Sequence, residues 1–144
     1  METIEHIPKT SLARQTRQVI QSVRRGQTVI IEHHGQPEAA IIDIFDYYLL
    51  QAVLHYHLHT PKIDVETGLS DEAVATIASP QERTNLAIAH YLAGSLSLSR
   101  LADLLGLSWL DLRTRFLRLD IPLRVAPTDQ EEALHDLANA AIFS

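Results

Sequence analysis

Two kinds of side chain in this sequence have the type and spacing for chemistry: histidines one helical turn apart and clustered arginines. His55 and His59 would stand on one face of a helix, where two imidazoles can ligate a metal ion. Two imidazoles with no third ligand nearby form a weak site, so we expect no metal and no cofactor. A metal-dependent hydrolase built on this pair would require stoichiometric metal, and we favour an exposed or interfacial helix end instead.

Motifs of the common enzyme classes are absent from the sequence. The chain has no cysteine, which excludes thiol nucleophiles, thiolate metal sites and disulfides. It also has no Gly-rich phosphate loop, no His-Glu-x-x-His and no Gly-x-Ser-x-Gly. Isolated carboxylates such as Asp43 and Asp46 are better explained as helix caps than as an acid-base pair. We therefore expect a binding protein and not an enzyme.

Charge is distributed unevenly along the chain, which has a formal net charge of −6. Residues 1–26 hold five Lys or Arg and two Glu, whereas residues 127–144 hold four Asp or Glu and no Lys or Arg. Phosphate contacts dominate the affinity of proteins for DNA, so local charge matters more than the total. The asymmetry predicts contact with nucleic acid near the start of the chain and with another partner near its end.

The basic start of the chain is predicted to be a helix. Leu12, Val19 and Val23 recur at helical spacing, and Gly26 is placed to end the helix. A step of about 100° per residue puts the arginines on the side opposite this apolar stripe. A solvated charged face is the alternative to a DNA-binding face. The residues expected to contact DNA here are Lys9, Arg14, Arg17, Arg24 and Arg25.

Two β-branched runs, 28–33 and 38–43, flank the turn-rich residues 34–37 and predict a hairpin. Both faces of these strands carry apolar residues, and the following segment 44–58 is strongly apolar yet too short to span a bilayer. One small helix cannot cover all of this surface, so we expect a second subunit to cover the rest. The residues expected at that dimer interface are Ile30, Ile42, Phe45, Tyr48 and Leu49.

The first part of the chain resembles the Phd/YefM antitoxins over about residues 3–50. The resemblance is carried by residues 23–41, in which Gly26, Gly35 and Pro37 match the glycines and the proline that recur in that family. It implies a homodimer whose N-terminal segment and first helix contact operator DNA.

The second part of the chain predicts an all-α domain beyond a linker at 61–68. A serine followed by proline and, two residues later, glutamate predicts a helix over 80–93. Ala102 and Gly106 then have helix-turn-helix spacing, in which a small residue lets the helices cross and the glycine turns the chain. A purely structural helical hairpin is the alternative. On the second helix, Arg115 and Arg118 are expected to face away from the apolar stripe, with Arg113 at its edge, and these three arginines are expected to lie near phosphates.

From about residue 69 to residue 137 the chain resembles an uncharacterised family of short prokaryotic predicted antitoxins. The likeness is carried by residues 91–108 and 120–123, although Asp120 stands where that family has glycine. The family is associated with PIN-like toxins, so the resemblance implies such a partner.

The acidic end of the chain begins with a capping box at 128–131 and continues with apolar residues at helical spacing. This pattern predicts a short amphipathic helix that docks into a groove of a toxin or, alternatively, packs onto its own domain. The residues expected to bind the toxin are Glu131, Glu132, Leu134 and Leu137.

These patterns together predict an α+β protein. Its expected parts are an N-terminal β-α-β-β-α dimerising module over 1–60, a linker over 61–68 and an all-α helix-turn-helix-like domain over 69–144. We expect a cytoplasmic antitoxin, without a membrane partner, that binds operator DNA as a homodimer and neutralises a toxin through its C-terminal part. The alternative is a protein-protein adaptor that binds no DNA.

Overall fold

The computed structural model describes residues 4–64 and 68–123, and over these residues the chain has the mixed α+β structure that the sequence predicts. They contain three strands, one 3-10 turn and six α-helices. In chain order these are β1 (Ile4–Pro8), the 3-10 turn (Lys9–Ser11), α1 (Thr16–Arg24), β2 (Thr28–His33), β3 (Gln36–Ile41), α2 (Ile44–His59), α3 (Asp71–Ala75), α4 (Pro80–Ala93), α5 (Leu98–Leu105) and α6 (Trp109–Arg118). In this part of the chain no helix is both long enough and apolar enough to cross a bilayer.

The chain divides into two compact units, Met1–Tyr47 and Tyr48–Ser144. The division lies within α2, whereas the sequence places a linker later, at 61–68. The boundary between two independently folding domains, expected at 61–68, therefore stays a prediction.

The first unit contains a three-stranded sheet in the order β1-β2-β3. β1 pairs parallel to β2, as a crossover through α1 requires, and β2 pairs antiparallel to β3. The hairpin turn is tighter than expected from residues 34–37, because His34 (φ 50°) and Gly35 (φ 74°) both adopt the left-handed conformation of a two-residue turn. Pro37 therefore lies inside β3, which tolerates it because β3 is an edge strand with an irregular register opposite Ile31 and Glu32.

The core of the first unit lies between α1 and one face of this sheet. Its buried members are Ile7, Val19, Val23, Val29 and Ile31, and Leu12 and Ile41 pack against them. Side chains alternate across a strand, so Ile30 lies on the opposite face from Val29 and Ile31.

The core of the second unit is formed by residues of α2, α4, α5 and α6. The rings of Tyr91 and Phe116 meet edge to face at its centre, with their centroids 5.6 Å apart. Serine hydroxyls cap the helices here: the Ser79, Ser97 and Ser108 side chains accept from the N–H three residues later at the starts of α4, α5 and α6. The left-handed conformations of Gly94 (φ 99°) and Gly106 (φ 71°) end α4 and α5.

Candidate nucleic-acid and protein interfaces

The basic side of α1 is the first candidate interface. Val19 and Val23 are buried against the sheet, which directs the opposite side of the helix to solvent. Four arginines are exposed there or in the turns at its two ends, namely Arg14, Arg17, Arg24 and Arg25. Among the described residues, none of the four has a carboxylate oxygen at ion-pair distance. We call these four residues the α1 basic face.

Lys9 differs from these arginines because it has a carboxylate partner. Its Nζ lies 3.1 Å from Oε2 of Glu38, which joins the 3-10 turn to β3. Both side chains are largely exposed, and exposed ion pairs contribute little to stability. A phosphate can therefore compete with Glu38 for the Lys9 ammonium group.

The three arginines of α6 have different environments. Arg113 is exposed, and its guanidinium lies over the Trp109 ring, 5.9 Å from the centroid. Arg115 is only 9% exposed, and its Nε donates to Oδ1 of Asp111 at 3.2 Å. The expectation that Arg115 faces away from the apolar stripe is wrong, because its side chain lies beside buried Leu112 and pairs with its own helix. Arg118 is half-buried and takes part in a further interaction.

Two leucines on the outward side of α6 were not singled out by the sequence. Leu110 is 63% exposed and Leu117 is 52% exposed, whereas Leu112 and Phe116 are buried. Arg113 and Thr114, which lie between the two leucines in the sequence, are also exposed. A helical projection from Trp109 would have found this pair, since 110 and 117 lie on the side opposite 112 and 116.

The residues expected at the dimer interface differ in how deeply they are buried. Ile30, Ile42 and Tyr48 are half-buried, and Phe45 is exposed. Leu49 is only 1% exposed and belongs to the core of the second unit, so one chain alone accounts for its burial. The residues expected to bind the toxin, Glu131, Glu132, Leu134 and Leu137, lie outside the described residues.

The histidine pair of α2 has the expected local geometry. The rings of His55 and His59 have centroids 4.4 Å apart, and both side chains are exposed. Within residues 4–64 and 68–123, no group of three or more His, Asp or Glu side chains could hold a metal ion. This finding covers only the described residues, so the expectation that the protein binds no metal ion stays a prediction.

Asp43 has the capping role that the sequence predicts. Its Oδ1 accepts from the backbone N–H of Phe45 at 2.9 Å and from that of Asp46 at 3.4 Å, at the start of α2. This use of the carboxylate accounts for the burial of Asp43.

Comparison of the chain with protein-family models, with curated proteins and with solved structures found no match.

Proposed function

We propose that the protein is an antitoxin and a non-catalytic binding protein, which contacts operator DNA as a homodimer and neutralises a partner toxin. The observation that carries the proposal is the α1 basic face, in which four exposed arginines have no carboxylate partner in the described part of the chain. Cations held at a surface without internal partners are available to phosphates.

The resemblance of residues 3–50 to the Phd/YefM antitoxins supports the same proposal. In this proposal the β-α-β-β-α elements form the dimerising, DNA-binding module of a cytoplasmic protein. The helix-turn-helix-like domain and the acidic end of the chain then bind a toxin, and the second resemblance favours a PIN-like one.

A second subunit is part of the proposal because the sheet leaves one face open, on which apolar side chains lie beside Thr28 and the His6–Glu32 pair. Ile4 is 47% exposed, Ile30 is half-buried and Ala40 is exposed on the face opposite α1. Two copies that meet through this face would bury it.

The experiment that tests DNA binding is fluorescence anisotropy with the duplex upstream of the protein's own gene, measured across a salt series. We expect the logarithm of the association constant to fall linearly with the logarithm of salt concentration. The Arg24→Ala/Arg25→Ala variant should bind more weakly, and its salt dependence should be shallower by about 0.9 for each phosphate that the variant no longer neutralises.

The matched control is Lys62→Ala/Arg83→Ala, which removes two positive charges from positions of the second unit that are not assigned to DNA contact. Its DNA affinity should stay within about twofold of the wild-type value, because only phosphate-contacting cations contribute strongly to binding. Absent or salt-independent binding by the wild-type chain would exclude the operator-binding role.

A protein-protein adaptor is the second candidate function, favoured by the exposed leucines of α6 and by the net charge of −6. An adaptor would form a stable complex with the product of the adjacent gene and would show no affinity for the upstream duplex at any salt concentration. The same anisotropy series therefore separates the two functions.

A further inference from the structure

The outward side of α6 combines two exposed leucines with one exposed cation. Leu110, Arg113, Thr114 and Leu117 have the i, i+3, i+4, i+7 spacing of one helix face, and all four are exposed. We call these four residues the α6 face. The buried side of the same helix packs through Leu112 and Phe116, so the second unit needs none of the four for its core.

This face is poorly suited to phosphates. Arg113 is the one cation among its four residues. Arg115 adds no charge to this face, because it lies on the buried side of the helix and is paired with Asp111. The Thr114 hydroxyl donates to the Leu110 carbonyl oxygen at 2.8 Å, so its proton is already engaged within the helix. The two leucines are the most prominent groups, and a leucine side chain offers no donor to a phosphate oxygen.

The same features suit a protein groove. Leucines at i and i+7 are the anchors of a helix that lies in an apolar groove, and they span roughly 10 Å along the axis. An open surface depression lined by Phe116, Leu117 and Ile121 adjoins this face and adds apolar surface that a partner can contact. The Trp109 ring supports the Arg113 guanidinium, which favours an acidic group opposite it.

A second copy of the chain is a poor occupant for this face. Two α6 helices related by a two-fold axis between Leu110 and Leu117 would bring the two Arg113 side chains together at the centre. Like charges in such a position oppose association, whereas a partner with a carboxylate at that point favours it.

We infer that the α6 face is a docking surface for a protein, the partner toxin, which offers an apolar groove about two helical turns long with a carboxylate opposite Arg113. This inference rests on the proposed function, and it assigns the helix-turn-helix of the second unit to protein recognition and DNA contact to α1.

The test measures the affinity of the full chain for the purified product of the adjacent gene by isothermal titration calorimetry. Leu110→Ser/Leu117→Ser should weaken this affinity at least about tenfold, because both anchors are removed. Arg113→Glu should also weaken it, because the new carboxylate would repel the acidic group of the partner. Circular dichroism and the thermal midpoint should not change, since these side chains are exposed.

The matched control is Lys62→Glu, which reverses an exposed positive charge of the second unit that lies outside the α6 face. It should bind the partner and the operator duplex as the wild type does. The Leu110→Ser/Leu117→Ser variant should also retain operator binding within about twofold, because α1 supplies the phosphate contacts.

Three results would overturn the inference. Wild-type partner affinity in Leu110→Ser/Leu117→Ser would remove the docking role and leave the proposed function intact. Loss of operator binding with retained partner binding would show that the face contacts DNA. A wild-type chain that does not bind the adjacent gene product would exclude both the toxin partner and this docking surface.

Discussion

Arg113 and Arg115 are two residues apart on α6 and have opposite environments. Arg115 is buried and bonded to Asp111, whereas Arg113 is exposed over Trp109. A carboxylate one turn earlier on the same helix can take up the charge of an arginine at the edge of the apolar stripe. At the scale of single residues, burial and a local partner therefore decide which cations can reach a ligand.

His90 is a second residue whose role depends on burial. Its side chain is buried in α4, and its Nδ1 lies 2.9 Å from the Ser95 hydroxyl oxygen. That hydroxyl donates to the His90 carbonyl oxygen, so its oxygen is left to accept from Nδ1–H of the neutral ring. Burial lowers the pKa of His90 from its ordinary value of 6.5, and the negative charge of Asp64 opposes this shift only in part.

The lowered pKa of His90 predicts a loss of stability in acid. The unfolded chain binds this proton more tightly than the folded chain, so the stabilisation is present above the unfolded pKa of 6.5. It is lost as the pH falls through that value towards the folded pKa. The wild-type urea midpoint should therefore fall more from about pH 8 to about pH 5.5 than that of His90→Asn, whose amide can keep the bond to Ser95. A ring titration of His90 by NMR at or above 6.5 would contradict this prediction.

Helices whose ends are marked by capping residues were predictable from the sequence. The helix expected over 80–93 is α4, because the Ser79 cap and the left-handed Gly94 fix its two ends locally. The helices around Gly106 follow for the same reason. The hairpin turn was predicted too long, because the left-handed conformation of His34 depends on the pairing of β2 with β3 and carries little sequence signal.

The start of α1 shows a conflict between helix stability and the proposed DNA contact. Its first turn has no acidic residue, Gln15 provides no side-chain cap, and Arg17 is exposed there. A cation near the N-terminus opposes the helix dipole, whereas a carboxylate stabilises it. This arrangement costs stability and leaves the first turn open to an anion.

Arg17→Glu should therefore have two effects of opposite sign. The free energy of unfolding should rise by about 0.5–1 kcal/mol, because a carboxylate replaces a cation beside the positive end of the dipole. Operator affinity should fall, because the reversed charge repels phosphate. Urea unfolding and anisotropy on the same preparation measure both effects. Gln18→Glu is the control, since it adds a carboxylate to the same turn and keeps Arg17; destabilisation by Arg17→Glu would instead show that Arg17 has a structural role.

At the scale of the whole molecule, the sequence indicated more apolar surface than one small helix can cover. It did not distinguish the apolar residues that the chain buries itself from those left for a partner. Leu49 was assigned to a partner and is buried in the second unit. Ile30 was assigned in the same way and lies on the open face of the sheet. The spacing of apolar residues along the helix or the strand does not distinguish Leu49 from Ile30. The difference arises only when segments distant in the sequence pack together. The open face of the sheet, with Ile4, Ile30 and Ala40, is therefore the strongest candidate for a contact between two subunits.

Ala40→Asp tests that contact directly. Ala40 is exposed on β3 opposite Ile30, so a carboxylate there has little effect on a single chain. In a dimer the same carboxylate would lose water without gaining a partner, so the subunits should dissociate. Analytical ultracentrifugation should then show a monomer at concentrations where the wild-type chain is a dimer.

Ala39→Asp is the matched control for this substitution. Ala39 is the neighbouring residue on β3, has the same exposed character and pairs with Ile31, so its side chain points to the other face of the sheet. It should remain dimeric and bind the operator as the wild type does. A dimeric Ala40→Asp variant would show that the subunits do not meet through the sheet. The exposed leucines of α2, Leu50, Leu54 and Leu58, would then be the next candidate for the surface that joins them.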